Sequence, residues 1–262
     1  MSNDTVKMEV LDGVAHLTLN RPKAGNALDL DMAKALLAAA ERCDKDPAVR
    51  AVIITGSGSM FCAGGDVRGF ASQGDRLPAF LTDLTDALHA GVSRLARMQL
   101  PVVAAVNGAA AGAGMSIACA ADLIVAAESA RFTVAYTAVG LTPDGSSTYF
   151  LPRLIGMQRA KELMLTNRRL SAAEALEWGL VYQVVADADL ADTAKRLARQ
   201  LAEGPTRAYG SVKKLLLASA TQDLESQLAD EARSIIAIAQ TPDSREGISA
   251  FLEKRSPKFT GK

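Results

Sequence analysis

Hydrophobic and polar positions alternate near the start of the chain and then give way to helical spacing. Residues 14–20 alternate with a period of two and run into Arg-Pro, which predicts a strand closed by a turn. Apolar residues at helical spacing follow over residues 32–40, after Asp29 or Asp31, either of which can cap a helix. Residues 51–55 are then continuously apolar, as expected of a strand buried on both faces.

The same order of elements recurs in the next stretch of the chain. Residues 78–98 have the spacing of a long amphipathic helix, and residues 101–106 form a second apolar run. A Gly/Ala turn follows, and another helix begins near Gly112. Alternating strands and helices joined by short loops predict an α/β fold.

The last quarter of the chain carries helical patterns with no strand between them. They cover residues 196–202, 212–217, 224–236 and 248–252. Their apolar stripes must be buried somewhere, either on the core or on another subunit. We therefore expect a core at residues 1–195 and a C-terminal helical oligomerisation segment at residues 196–262.

Composition excludes several classes of function. The 262 residues carry 29 basic and 29 acidic side chains, and this zero net charge gives no global field for nucleic acid. Only 5% of residues are aromatic, which argues against base stacking. The apolar runs fall far short of the roughly 20 residues that span a bilayer, and no signal peptide is recognised. Three separated cysteines, Cys43, Cys62 and Cys119, indicate reduced thiols without metal-ligand spacing, hence a cytoplasmic protein.

Two loops of small residues each follow a predicted strand. One covers residues 61–66, and the other covers residues 107–114 and opens a helix. Small residues leave backbone N–H groups uncovered, and a helix N-terminus adds a positive dipole end. Two such N–H groups converging on one point would form an oxyanion hole. The alternative is that both loops are simply tight turns, and neither has the lysine of a phosphate loop.

The order of these segments resembles the crotonase, or enoyl-CoA hydratase/isomerase, superfamily along the whole chain. The matching segments are residues 20–28, 46–50, 61–66, 101–114, 140–144, 172–181 and 250–255. The resemblance implies a spiral of ββα units with a C-terminal helical trimerisation segment, assembled as homotrimers or as hexamers built from two trimers. It also implies an acyl-CoA substrate, with coenzyme A as part of that substrate and no separate cofactor, and a thioester oxygen held by the N–H groups of Gly65 and Ala113.

Coenzyme A contacts also follow from the resemblance. Phe251 and Lys254 would reach the coenzyme from a neighbouring subunit. The complete set of implied contacts is Lys23, Ala24, Ala27, Ala63, Gly65, Asp66, Val67, Arg68, Phe251 and Lys254. The cations in this set have the right sign for phosphates, although each is also an ordinary surface residue by composition. Asp66 could instead hydrogen-bond its own loop.

Departures from the family pattern favour one reaction. Hydratases of the family use two glutamates, and Ser116 and Tyr136 stand at those positions, where neither is a carboxylate base. Asp144 resembles the single catalytic aspartate of the branch that includes 1,2-epoxyphenylacetyl-CoA isomerase. One carboxylate suffices to move a proton along an allyl system, so we expect an enoyl-CoA isomerase. Ser116 and Tyr136 are then expected to fill and polarise the acyl pocket, and Ser116 could also bond back to its own helix.

The role of Asp144 and the reaction stay open at this point. Asp144 could merely cap a helix that begins near Gly145. Asp144 together with His89 also resembles 4-chlorobenzoyl-CoA dehalogenase, in which the aspartate is a nucleophile and the histidine activates water. A packing role for His89 within its helix is the simpler interpretation. Hydration by a non-standard site and acyl-CoA binding without catalysis are two further hypotheses.

Overall fold

The computed structural model describes residues 5–262, which form two sheets surrounded by helices. The larger sheet contains β1 (Val6–Leu11), β2 (Val14–Leu19), β3 (Ala51–Gly56), β5 (Val102–Val106), β7 (Leu123–Ala127) and β10 (Gln183–Val185), in the order β1-β2-β3-β5-β7-β10. The smaller sheet contains β4 (Met60–Cys62), β6 (Ala109–Ala111), β8 (Arg131–Thr133) and β9 (Leu170–Ser171), in that order. The predicted α/β class is confirmed.

The helices follow the predicted pattern closely. They are α1 (Leu30–Lys45), α2 (Val67–Ala71), α3 (Leu77–Arg97), α4 (Ala113–Cys119), α5 (Ser147–Ile155), α6 (Met157–Thr166), α7 (Ala172–Glu177), α8 (Leu190–Ala202), α9 (Thr206–Ser219), α10 (Leu224–Ala239) and α11 (Pro242–Leu252). Of the two candidate caps for α1, Asp29 fills the role, because its carboxylate accepts the Met32 N–H at 2.8 Å. Across residues 5–262, no helix has both the length and the apolar character needed to cross a membrane.

The central strands β3, β5 and β7 of the large sheet are buried on both faces. Strands β1 and β2 pair as an antiparallel hairpin, and the remaining neighbours in this sheet are parallel. Alternate residues of the parallel strands face different layers: Val52 and Ile54 join the main core with α1 and α3, whereas Ala51 and Ile53 pack against α8. Burial on both faces explains why these strands are continuous apolar runs.

Helix α8 belongs to the core. Its residues Leu190, Ala194 and Ala198 are buried against the face of the large sheet opposite to α1 and α3. The boundary expected after residue 195 therefore falls inside a helix, and the helices outside the sheet layers begin with α9. The sequence spacing did not show that α8 packs on the sheet, because a helix that covers a sheet and a helix that contacts another subunit carry the same apolar stripe.

Strands β4 and β6 were expected to be loop. They pair in parallel, with Met60 opposite Ala109 and Cys62 opposite Ala110. Strands of three residues are too short to carry a recognisable period, and the three alanines of β6 lie in a Gly/Ala-rich stretch that resembles a turn. The pairing is important because it fixes the two small-residue loops relative to each other.

A partly buried ion pair connects α9 to the core. Lys213 Nζ lies 2.8 Å from Asp122 Oδ2 and donates to the carbonyl of Leu100 at 2.8 Å. Burial lowers the pKa of Lys213 and raises that of Asp122. Lys213→Met is expected to lower the free energy of unfolding by about 2 kcal/mol, because it removes the cation beside Asp122 and the donor to the Leu100 carbonyl. Urea unfolding followed by circular dichroism measures the loss.

The neighbouring lysine provides a matched control for this prediction. Lys214 is exposed on the same turn of α9, so Lys214→Met is expected to change the unfolding free energy by less than about 0.5 kcal/mol. Equal effects of the two substitutions would contradict a specific contribution of the partly buried pair.

Candidate active site

The two small-residue loops cross at close range. Gly64 has a left-handed φ of +98°, and a Cβ on it would lie 2.9 Å from the carbonyl oxygen of Ala111. A Cβ on Gly114 would lie 2.4 Å from the carbonyl oxygen of Cys62. Any larger residue at these two positions would force the loops apart. The glycines therefore allow the two backbones to approach each other closely. The sequence indicated only that both loops consist of small residues.

Gly65 and Ala113 lie where the two loops approach each other, and the backbone N–H group of each is without an acceptor among residues 5–262. Gly65 lies between residues whose main chains pair with β-type bonds: Leu28 N–H donates to Gly64 O, and Asp66 N–H donates to Leu28 O. Ala113 is the first residue of α4, where N–H groups have no partner inside the helix. Within residues 5–262, neither N–H donates a hydrogen bond. Both residues line one cavity.

Asn26 organises the loop that carries Gly65. It is fully buried with a φ of +55°, a conformation that asparagine tolerates. Its side-chain amide donates to the carbonyls of Ser57 at 2.9 Å and Met60 at 2.8 Å, and its Oδ1 accepts the Arg21 N–H at 2.9 Å. The Asn26 side chain thus provides hydrogen-bond partners for backbone groups of this irregular loop that have no main-chain partner.

Arg21 links the caps of two helices. Its Nη2 lies 3.1 Å from Asp29, which caps α1, and 3.0 Å from Asp66, which caps α2. Partial desolvation alone would raise the pKa of Asp66, but hydrogen bonds from Gly69 N–H and Arg21 outweigh it, so the net pKa is lower than usual. Asp66 therefore bonds within its own loop, as one of the two interpretations of the sequence expected.

The cavity beneath the two loops is largely apolar. This central cavity has a volume of about 300 Å³. Its apolar walls come mainly from Leu28, Phe70, Leu81, Leu84, Leu88 and Val139. Asp144 is the only carboxylate among the described residues that line it. Such a chamber suits a hydrophobic group whose reacting end meets a single acid–base side chain.

Asp144 is held by residues from two other elements. Tyr136 OH donates to Asp144 Oδ1 at 2.5 Å, and His89 Nε2 lies 3.4 Å from Oδ2. Burial, followed by the nearby Asp144 charge, raises the pKa of Tyr136, so the tyrosine keeps its proton and remains a donor. Helix α5 begins at Ser147, and its cap position is Ser146, so the helix-capping interpretation of Asp144 is wrong.

Ser116 fastens the main chain beside this carboxylate. Its hydroxyl is fully buried, lies 2.8 Å from the carbonyl oxygen of Asp144, and lies 3.2 Å from Tyr136 OH. It is also 3.3 Å from the carbonyl of Gly112 one turn earlier, which is the expected bond to its own helix. Of the three residues expected in the acyl pocket, Tyr136 lines the central cavity, whereas Ser116 and His89 contact Asp144 from outside it.

His89 projects from α3 and is not a packing residue of that helix. Its side chain is 51% exposed. Its Nε2 accepts the Gly145 N–H at 3.2 Å, so this nitrogen carries a lone pair. The contact with Asp144 spans 55 positions of the chain, and no sequence spacing could have indicated it.

The residues expected at coenzyme A fall into two groups. The structure brings the segment around Lys23 and Ala27 beside the Ala63 loop, since Ala63 N–H donates to Gly25 O at 2.9 Å. Lys23, Ala24, Val67 and Arg68 are exposed on this rim, whereas Ala27 is buried beneath it. Phe251, which is 82% exposed at the end of α11, and Lys254 do not line the central cavity within one chain.

Metal chemistry has no ready ligand set in the part of the chain that the structure describes. No group of three or more His, Cys, Asp or Glu side chains in residues 5–262 is placed to hold an ion. Two functional residues that sequence reasoning missed are Arg21 and Asn26, which position the Gly65 loop. The signal available for them was their place in residues 20–28, one of the segments that carry the family resemblance.

Comparisons with known proteins find related sequences along nearly the whole chain. The profile of the family described as enoyl-CoA hydratase/isomerase matches residues 9–262. A Rhodobacter capsulatus relative named "Probable enoyl-CoA hydratase" is 42% identical over 262 residues, covering 100% of both chains. The 1,2-epoxyphenylacetyl-CoA isomerase of Escherichia coli is 42% identical over 252 residues, covering 95% of this chain and 96% of the relative.

A solved structure shows the same fold. The enoyl-CoA hydratase from Polaromonas sp. JS666 superimposes with a TM-score of 0.93 at 35% identity, covering 97% of this chain and 99% of that one. Sequence and fold agree over nearly the full length, as the resemblance predicted. The chain therefore belongs to the crotonase, or enoyl-CoA hydratase/isomerase, family.

Proposed function

We propose that this protein is an enoyl-CoA isomerase that shifts a carbon–carbon double bond by proton transfer through Asp144. The observation that carries the proposal is the central cavity, in which a single carboxylate faces the space next to two uncommitted N–H groups. Hydration by the family's two-glutamate route would need a second carboxylate in this chamber, and Ser116 and Tyr136 replace both. Family membership supports the acyl-CoA substrate.

The reaction needs one base and one oxyanion site. The thioester oxygen sits between the N–H groups of Gly65 and Ala113, which stabilise the negative charge that forms when a proton leaves the neighbouring carbons. Asp144 takes that proton, and the electron pair of the C–H bond moves through the conjugated system to the oxygen. Asp144 then returns a proton two carbons away, so the same group serves as base and acid.

Tyr136 and Ser116 are positioning residues in this scheme. The Tyr136 hydroxyl, which keeps its proton, binds Oδ1 and directs the carboxylate, while Ser116 bonds the carbonyl oxygen of the same residue. Neither acts as a base. Their hydrogen bonds limit the rotation of Asp144, which matters because proton transfer requires close and aligned approach.

Coenzyme A lies along the rim of the cavity. Lys23 and Arg68 are exposed cations there, and phosphates are the natural partners of such charges. Phe251 and Lys254 are exposed at the far end of α11, and in this proposal they contact the coenzyme bound to a neighbouring subunit.

A spectrophotometric screen tests the proposal. Linear, cyclic and aryl 3-enoyl-CoA and 2-enoyl-CoA thioesters are offered to the purified protein, and the conjugated enoyl thioester is followed by its ultraviolet absorbance. We expect interconversion of 3-enoyl and 2-enoyl thioesters without addition of water. Formation of a 3-hydroxyacyl-CoA as the main product would overturn the isomerase assignment in favour of hydration. Binding of the thioesters without any turnover would favour a non-catalytic acyl-CoA carrier.

A second candidate function is favoured by the contact between His89 and Asp144. An aspartate beside an imidazole could attack an aryl carbon, release chloride, and have the resulting ester hydrolysed by water, as in the dehalogenase that the sequence also resembles. Release of chloride from 4-chlorobenzoyl-CoA distinguishes this chemistry, and we expect none from an isomerase. The resemblance to the dehalogenase implies a bulkier aromatic residue at the position of Gly65, and this mismatch ranks the function second.

The C-terminal helices form the proposed oligomer interface. Helices α9, α10 and α11 expose several large apolar side chains on their surfaces. These are Val212, Leu216, Leu224, Leu228, Ile235, Ile236, Ile248, Phe251 and Leu252. Exposed apolar clusters of this kind mark interaction sites, and the family resemblance supports a homotrimer or a hexamer.

Ile235→Asp tests this interface. Ile235 is 70% exposed on α10, so an aspartate there leaves one chain folded but is expected to convert the oligomer to monomer, because a charge would be buried at the interface. Light scattering after size exclusion measures the mass against the 27.5 kDa of one chain. The matched control is Leu11→Asp, since Leu11 is 57% exposed on β1 outside the cluster. A wild-type monomer, or an unchanged oligomer in Ile235→Asp, would contradict this interface.

A further inference from the structure

A second cavity adjoins the central one, and the contact between Asp144 and His89 separates them. This outer cavity has a volume of about 330 Å³. His89, Ser93, Arg97 and Gly145 are among its lining residues, together with the aromatic pair Tyr149 and Phe150. Asp144 lines only the central cavity, and His89 lines only the outer one. The Asp144 carboxylate therefore borders the central cavity, and the His89 imidazole that it contacts borders the outer cavity.

The geometry of the contact suits a proton that moves off the carboxylate. Asp144 Oδ1 is occupied by Tyr136 OH, whereas Oδ2 lies 3.4 Å from His89 Nε2. The Gly145 N–H donates to the same nitrogen at 3.2 Å, so Nε2 presents an acceptor lone pair on the side of Gly145 and Asp144. A proton carried by Oδ2 therefore faces a basic nitrogen.

We propose that His89 exchanges the proton held by Asp144 with water in the outer cavity. The proposal rests on the function proposed above and adds the fate of the transferred proton. The half-exposed imidazole is the polar connection between an apolar chamber and solvent. The two ring nitrogens of an imidazole can each accept or donate a proton.

The exchange balances without any co-reactant. Asp144 takes a proton from the substrate carbon, so the C–H bond breaks and an O–H bond forms. The O–H proton passes to His89 Nε2, leaving a carboxylate and an imidazolium. Water in the outer cavity takes that proton from Nε2 and a solvent proton replaces it. The reverse transfer then protonates Asp144, which delivers the solvent proton to the other end of the allyl system.

The test is turnover in D₂O with deuterium counted in the product by mass spectrometry. A 3-enoyl-CoA reports isomerisation and exchange together, and the matching saturated acyl-CoA reports exchange at its α-carbon without isomerisation. We expect the wild type to incorporate deuterium in both. His89→Gln, which keeps a polar side chain that cannot carry a proton, is expected to lower deuterium per turnover by about tenfold while double-bond shift continues. Ser93→Ala, which alters the same cavity away from Asp144, is the control and should exchange like the wild type.

The outcomes separate this inference from the proposed function. Unchanged deuterium per turnover in His89→Gln would overturn the exchange role, as would a wild type that isomerises with almost no deuterium uptake. Complete loss of isomerisation in a folded His89→Gln would also overturn it, because the imidazole would then be needed to hold Asp144. If the wild type exchanges the saturated thioester through His89 but shifts no double bond, the exchange stands and the isomerase function fails. If it does neither, both are overturned.

Discussion

Asp144→Asn is expected to lower kcat for interconversion of 3-enoyl-CoA and 2-enoyl-CoA by about 10³-fold, within the usual range for loss of a general acid–base group. The asparagine amide has nearly the same shape and its oxygen can still accept the Tyr136 hydroxyl, but it cannot take a proton from carbon. The fold and the acyl-CoA KM should therefore change little. Initial rates by ultraviolet absorbance, with circular dichroism as the check on folding, measure the effect.

An exposed aspartate on α3 provides the control. Asp86 lies one turn before His89 and faces solvent, so Asp86→Asn removes a carboxylate from the same region without touching the central cavity. We expect wild-type rates from it. If Asp144→Asn also retains the wild-type rate, Asp144 is not the base and the isomerase mechanism proposed here is wrong.

Ala113→Pro is expected to lower kcat by about 10²- to 10³-fold, the usual loss for one oxyanion-hole donor. Proline lacks the N–H that this mechanism directs at the thioester oxygen. The substitution is structurally mild, because Ala113 is the first residue of α4, where proline has a suitable φ and no helical hydrogen bond is lost. Rates with the best thioester from the screen and the thermal unfolding midpoint are measured together.

Ala113→Gly is the matched variant for this experiment. It changes the side chain at the same position but keeps the N–H, so its rate should stay close to that of the wild type. A folded Ala113→Pro with the wild-type rate would show that this N–H does not stabilise the transition state. Equal losses in the two variants would show that any side-chain change at Ala113 disturbs the packing of α4 against the cavity, whether or not the N–H is present.

Prediction from sequence succeeded where a pattern was long or local. The period-two and 3.6-residue spacings located β2, α1, α3 and the C-terminal helices, because each has an apolar face that repeats along its length. A continuous apolar run located β3, which is buried on both faces. Prediction failed for β6, where three alanines looked like a turn. It also placed a domain boundary inside α8, since an apolar stripe does not indicate which surface covers it.

Local sequence also failed to predict the contacts of a single residue, Asp144. A carboxylate ahead of a glycine and two serines is typical of a helix cap, and only the family resemblance favoured catalysis. The structure starts α5 three residues later and turns the carboxylate toward Tyr136 and His89. These partners lie 8 and 55 positions away, and local spacing does not indicate contacts between separate elements.

The sequence by itself determined the α/β class, the family, the small-residue loops that free two N–H groups, and the candidate carboxylate. These depend on residue type, period and the order of motifs, all of which are local or matched by alignment. Only the tertiary structure decided that Arg21 joins the caps of two helices, that Ser116 holds a main chain instead of facing the cavity, and that His89 meets Asp144 between two cavities. Buried polar side chains take their partners from whichever elements packing brings together, so these contacts exist only once the chain is folded.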